Sequence, residues 1–236
     1  MNYIIQLVSE LGLTIEVYDF FHVLGFIAVF AFVVWFGSKM GIKAWQSVLT
    51  VLIVYPIIYG WMHVLFWIEN GFKNFGGNNI VRVFIYVPVV GYPVAKLLKI
   101  EWKKICSLLA FAPTVVHAVS HLGCMFPGCC MGYPCSWGLY NIKTEDIRFP
   151  IQPIESMIAL IIIVLLLVRA VRRGYVPDGQ EYPIMLVLFG STRFVCEFLR
   201  DNEKIWLGCS NLAFHALFMF AVGIIALIVI HNKEKR

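Results

Sequence analysis

Long apolar runs, broken by short clusters of Lys, Arg, Gly and Pro, set the pattern of this chain. A hydrocarbon core takes about 20 residues for one helical crossing. Seven runs are long enough, near residues 17–37, 44–68, 80–98, 105–125, 153–171, 182–199 and 207–231. The third is interrupted by Pro88, Gly91 and Pro93, the sixth by Arg193 and Glu197. Pro and Gly are tolerated in membrane helices where neighbouring groups re-satisfy the backbone. The pattern predicts an all-α polytopic membrane protein of about seven transmembrane helices. It forms a single domain over residues 1–236, with the polar motifs confined to 105–236. Residues 1–16 allow two readings: a short interfacial helix with Ile4, Ile5, Val8 and Leu11 on one face, or a frayed start to the first span.

Composition supports membrane residence. The chain is 60% hydrophobic and 14% charged, whereas soluble domains are about half apolar and a quarter charged. Its net charge of +5 is not a nucleic-acid footprint, because the basic residues are scattered among short connections. Alternate connections collect most of them: Lys39 and Lys43; Lys96, Lys99, Lys103 and Lys104; Arg169, Arg172 and Arg173; Lys233, Lys235 and Arg236. Residues 1–16 hold no Lys or Arg. The positive-inside rule then predicts the N-terminus outside and the C-terminus inside. The start also lacks the basic region of a secretory signal.

With that topology, the chemistry-bearing residues gather at the outer ends of helices. The segment His117–Gly138, HAVSHLGCMFPGCCMGYPCSWG, holds two histidines, four cysteines and four glycines. His117 and His121 are four residues apart and share a helical face. A neutral imidazole can serve as a general base near neutral pH. The cysteines admit three readings: small residues in a tight Gly-rich turn, disulfides on the oxidising side, or metal ligands. Vicinal Cys129 and Cys130 fit poorly together in one tetrahedral site, and seven cysteines cannot all pair internally.

In the sixth run, Arg193, Glu197 and Arg200 fall on one helical face, so each arginine can pair with the glutamate. A guanidinium within a span costs at least about 2.5–3.5 kcal/mol on insertion scales. Two arginines against one glutamate leave a positive charge, and an anionic ligand such as a phosphate would balance it. The connection before the fifth run adds Arg148, Gln152 and Glu155 near the outer boundary. Taken alone, Pro150 and Pro153 there mark an ordinary helix entry.

Three segments in order resemble the prolipoprotein diacylglyceryl transferase family. They are Gly123-Cys-x-x-x-Gly128-Cys-Cys-x-Gly132 followed by Trp137-Gly138, then Arg148-x-Pro150-x-Gln152-x-x-Glu155, then Arg193-Phe-x-x-Glu197-Phe-x-Arg200. The resemblance implies a bacterial cytoplasmic membrane enzyme that needs no cofactor or metal. Such an enzyme moves the diacylglyceryl group of phosphatidylglycerol to the lipobox cysteine of a preprolipoprotein signal peptide, and glycerol phosphate leaves. It implies Arg193 as phosphate clamp, Glu197 as its orienter and Arg200 as a second anion contact. His121, with His117 behind it, stands as base or phosphate donor. Arg148, Gln152, Glu155, Gly123, Gly128 and Gly132 would frame the headgroup site. Three positions depart from the family pattern. His121 stands where the signature carries an arginine, Tyr86–Tyr92 lacks the histidine of the third helix, and Phe189 replaces a tyrosine. The alternative is a membrane protein of the same scaffold without this activity, which binds lipid, uses another acceptor, or works through its cysteines.

Overall fold

The computed structural model describes residues 1–73, 84–205 and 208–235. Among these are eight α-helices and one small hairpin. The helices are α1 (Asn2–Glu10), α2 (Thr14–Lys39), α3 (Ala44–Glu69), α4 (Val87–Leu97), α5 (Trp102–Gly123), α6 (Ile151–Arg172), α7 (Glu181–Phe198) and α8 (Asn211–Glu234). Five of them, α2, α3, α5, α6 and α8, are long and apolar enough to cross a membrane. The sixth apolar run forms α7, whose interior carries Arg193 and Glu197. Within the described residues the third forms a 3-10 turn, Phe84–Tyr86, and the short α4, and its first part lies outside them, as does the start of the seventh.

Helix α5 is the axis of the bundle. Of its most apolar stretch 72% is buried, against a third or less for the other long helices. It packs against α2, α4, α6 and α7. A helix buried on every side can carry polar groups only if they find partners inside the protein, and α5 carries His117, Ser120 and His121. Elsewhere backbones approach closely through glycine. A Cβ at Gly190 on α7 would lie 2.7 Å from the Phe220 nitrogen and 2.8 Å from the Ala216 oxygen on α8. Small residues allow such close crossings in membrane bundles.

The N-terminal segment forms a helix of its own. Gly12, with φ +70°, turns the chain between α1 and α2. Ile5 is fully buried beside Met125 and Phe126, with Val8 packed alongside, while Ile4 and Leu11 stay exposed. The predicted apolar face is therefore half used, and it covers the loop after α5.

That loop carries the β hairpin of the described residues: β1 (Pro134–Asn141) pairs antiparallel with β2 (Asp146–Arg148). Asn141 shapes the turn, with its Oδ1 accepting from the Lys143 and Thr144 backbone nitrogens at 2.9 and 3.3 Å. An Asx turn of this kind needs no apolar alternation, so hydropathy carries no trace of it. Asn2 clasps the hairpin through the Gly138 oxygen at 3.2 Å and the Tyr140 nitrogen at 3.0 Å.

Short connections between α2 and α3, α4 and α5, and α6 and α7 put Lys39, Lys43, Lys96, Lys99, Lys103, Lys104, Arg169 and Arg172 at one end of the bundle. The hairpin and α1 lie at the other end, with the C-terminal ends of α5 and α7 and the N-terminal end of α6.

Candidate active site

At that second end, α5, α6 and α7 each contribute buried ionisable groups. His117, His121, Glu155, Arg193, Glu197 and Arg200 are all at most 9% exposed. Glu155 is the hub. Arg193 Nη1 donates to both of its oxygens at 2.6 Å. Arg200 donates to it through Nε at 3.0 Å and Nη2 at 2.6 Å. His121 Nε2 stands 2.9 Å from Glu155 Oε2, and His117 Nε2 stands 3.9 Å away. Glu197 pairs with Arg193 Nη2 one turn along α7 and lies 3.7 Å from Arg200 Nε. Its other oxygen accepts from Asn202 at 2.9 Å and Ser210 at 2.7 Å.

This geometry corrects the charge balance expected from spacing. The two arginines face two glutamates, because Glu155 on α6 shares the site with Glu197. With neutral histidines the cluster carries no net charge. Full pairing is what a buried charge requires, since an unpaired one costs several kcal/mol. One guanidinium atom is left over. Arg193 Nε is buried and without a hydrogen-bond partner among the described residues, as is Ser120 Oγ.

A cavity of about 760 Å³ opens beside the cluster, between α2, α3, α4, α5 and α7. Its polar end is lined by His117, Ser120, His121, Arg193 and Arg200, with Cys124, Cys129 and Cys130 from the loop. Its other walls are apolar, among them Phe26, Val29, Val54, Ile58, Met62 and Leu109. A mostly apolar cavity with a few convergent polar groups is the usual form of a small-molecule site. A volume of this shape suits a molecule with a charged head and hydrocarbon tails.

The two histidines stack, with ring centroids 4.7 Å apart. Phe189 meets the His117 ring edge-on at 5.1 Å, so no phenolic hydroxyl reaches that ring from this position. Tyr86–Tyr92 supplies only apolar Val87 to the cavity, beside Phe84 just before it. The remaining sequence candidates stand behind the cavity wall. Gln152 Nε2 donates to the Cys129 oxygen at 2.8 Å and so holds the loop. Arg148 pairs with Asp146 at 2.7 Å and Asp201 at 2.5 Å, tying the hairpin to the end of α7. Its neighbourhood holds the Asp146 carboxyl below the usual carboxylate range, by hydrogen bonds from Arg148 and Thr144. Gly123 backs onto Tyr18 and Phe21 of α2. Gly132 lies flush against Phe149, and its strand-like bridge to Arg200 fixes that arginine's backbone. Gly128, with φ +65° and the Asn141 amide where a Cβ would go, requires glycine on both counts.

All seven cysteines are free thiols. Hydrogen bonds from Cys124 and Cys129 hold the Cys130 thiol well below its ordinary range, helped by the charges of Arg200 and His121. Two sets of side chains could hold a metal: His117, His121 and Glu155, and His121, Cys124 and Cys130. In each set the ligand atoms lie within 4.8 Å of one another. Sequence reasoning missed the contribution of α2, where Tyr18, Asp19 and His22 line the cavity mouth. Their signal was polar residues at adjoining and helical spacing in the first turns of an otherwise apolar span.

No curated protein matches the chain. The model of the prolipoprotein diacylglyceryl transferase family matches residues 6–229, nearly the whole chain, and the chain belongs to that family.

Proposed function

We propose that this protein transfers the diacylglyceryl group of phosphatidylglycerol to the thiol of a lipobox cysteine in a preprolipoprotein signal peptide. The observation that carries the reading is the cavity, which joins a polar end lined by Arg193 and Arg200 to an apolar wall inside one bundle. The single domain works in the bacterial cytoplasmic membrane with seven spans, its N-terminus outside and its C-terminus inside. The basic end of the bundle then faces the cytoplasm and the cavity's polar end faces outward. Lipid tails lie along α2, α3 and α5, and the phosphate meets Arg193 and Arg200.

The acceptor thiol passes its proton to the stacked His117–His121 pair, because only a thiolate is nucleophilic enough to displace glycerol phosphate. The imidazolium offsets the thiolate's charge and later returns the proton to the departing phosphate. The sulfur bonds to the glycerol carbon, the carbon–oxygen bond to phosphate breaks, and glycerol phosphate leaves with the electron pair. Arg193 and Arg200 stabilise the charge that gathers on the leaving oxygens. Glu155 and Glu197 hold both guanidinium groups in place before substrate arrives, and Gln152, Arg148 and the three glycines fix the loop that closes the site.

Purified protein in phosphatidylglycerol vesicles with a lipobox peptide tests the reading. The expected result is a thioether-linked peptide and an equal amount of glycerol phosphate. Absence of both, with lipid still bound in the cavity, would move the protein to the lipid-binding reading.

A further inference from the structure

Helix α2 lines the cavity mouth with polar side chains that the reaction just described does not use. Asp19, His22, Phe26 and Val29 follow one another at helical spacing, and all four line the cavity. This face is polar at its outer end and apolar further in. An ionisable side chain that faces a cavity from within a span marks a substrate path. His22 Nδ1 lies 2.9 Å from the Tyr18 carbonyl oxygen. A carbonyl only accepts, so Nδ1 carries the proton, and the neutral ring presents Nε2 as a bare acceptor. The Tyr18 ring packs against the imidazole with centroids 4.1 Å apart and fixes it. Asp19 is exposed at the mouth. Among the described residues, neither its carboxylate nor His22 Nε2 has a hydrogen-bond partner.

The crossing with α5 sets the depth of this wall. A Cβ at Gly123 would lie 2.9 Å from Phe21 Cβ and 3.1 Å from the Tyr18 oxygen, and a Cβ at Gly25 would meet Ser120 Oγ. The two helices run in opposite directions, so His22 stands level with the turn Ser120–Gly123. That turn carries His121, whose Nε2 is 3.1 Å from Arg200 Nη2. The polar groups of α2 and the arginine site therefore share one depth in the bundle. A phosphodiester held by Arg193 and Arg200, with its tails along the apolar walls, turns its head alcohol toward the mouth.

We propose that Asp19 and His22 form a subsite that reads the head alcohol of the donor lipid and selects an uncharged polyol, a role that rests on the transferase reading. Both groups offer only acceptors, and a vicinal diol brings two donors. One hydroxyl donates to Asp19, as a ribose hydroxyl does to the acidic side chain of a dinucleotide site. The other donates to His22 Nε2. The Tyr18 hydroxyl belongs to the same rim and donates to a hydroxyl in return, which an ammonium group, having no lone pair, cannot accept. A plain alkyl head alcohol leaves both acceptors unpaired, and an acceptor deprived of its partner loses what water gave it. The three head carbons keep the phosphate charge on the arginines and turn only hydroxyls toward Asp19.

The test uses the full chain in detergent with a lipobox peptide and two lipids of equal tails. One is phosphatidylglycerol; the other is phosphatidylpropanol, which has the same head carbons without the diol. The expected ratio of kcat/KM is about 10- to 100-fold in favour of the diol, the range for hydrogen bonds to charged groups. Asp19→Ala and His22→Leu should each bring that ratio toward one, and His22→Gln, which keeps an acceptor, should retain part of it. Asp19→Ala, at an exposed position, decides the matter should His22→Leu fail to fold. Phe20→Leu, exposed on α2 and outside the cavity lining, should leave the ratio unchanged. A ratio near one in the unaltered chain, a ratio that survives Asp19→Ala, or equal use of phosphatidylethanolamine overturns the proposal and leaves the transferase reading intact. If no lipid yields thioether, the transferase reading fails instead. Equilibrium binding of glycerol phosphate against propyl phosphate then reads the subsite: a preference for glycerol phosphate that Asp19→Ala abolishes keeps it, and equal affinities overturn it.

Discussion

The Nε2 atom of His121 stands 2.9 Å from Oε2 of Glu155, close enough that it must donate a proton to that carboxylate. The same atom is 3.1 Å from Nη2 of Arg200, where it must accept one. A ring nitrogen cannot do both. The tautomer with its proton on Nε2 therefore suits Glu155, and the tautomer with its proton on Nδ1 suits Arg200.

Glu155→Gln should be the most damaging single change in the cluster. It leaves two buried guanidinium groups without their shared carboxylate. Removing one partner of a buried ion pair costs about 3–5 kcal/mol. Thermal unfolding in detergent should show the loss directly, together with near-complete loss of glycerol phosphate release. An unchanged melting temperature would mean that the hub is not held as described.

Arg200→Lys preserves the charge but not the fork. Two separate nitrogens of Arg200 reach the two oxygens of Glu155, and a lysine offers a single point of contact. The expected outcome is a fall in kcat of about 100-fold or more, the scale for losing one transition-state donor, with a smaller change in stability than Glu155→Gln causes. Steady-state assays at saturating lipid measure it.

At the crossing of α7 and α8, Gly190→Val places methyl groups against the Phe220 and Ala216 backbones. Overpacking of this kind costs about 1–3 kcal/mol. Because α7 carries Arg193 and leads directly into Arg200, the splayed crossing should also lower activity. Gly60→Ala, where a Cβ meets no atom within 4 Å, is the matched control and should be neutral in both measurements.

The hairpin tie should depend on pH. Asp146 has a depressed carboxyl pKa through its hydrogen bonds from Arg148 and Thr144. A group whose folded pKa is depressed adds stability that is present above its unfolded value, ordinarily near 3.8. That stability is lost as the pH falls through the lower folded value. Protease cleavage at Lys143 in the turn should therefore rise only below about pH 4. In Arg148→Ala, cleavage should be fast already at neutral pH.

Much of this bundle was legible in the hydropathy pattern, because apolar runs of spanning length leave few alternatives. The runs at 44–68 and 153–171 became α3 and α6 with ends shifted by no more than two residues. The face shared by Arg193 and Glu197 was legible for the same reason, whereas Arg200 lies two residues beyond the end of α7, bridged to Gly132, and reaches the cluster from there. Glu155 was placed at the site only by the family resemblance. Its spacing from Pro150 and Pro153 reads as a helix entry, and nothing local tells that α6 turns it toward two arginines about 40 residues later. Tertiary partners of that kind follow from packing, not from periodicity. The hairpin was hidden because an Asx turn and a bulged strand pair need only a few polar residues. The cavity was hidden because its apolar lining looks like any lipid-facing surface until α2 and α3 are seen to stand around it.

The placement of Glu155 on one helix and Arg193 on the next has a consequence for how the molecule is built. Neither helix end can be buried alone without stranding a charge, whereas α6 and α7 brought together as a hairpin enter the bundle with opposite charges already cancelled. Assembly of the reaction centre and burial of these two helices are thus a single event. A chain that stops before α7 keeps Glu155 at the surface and leaves the cavity without either of its arginines.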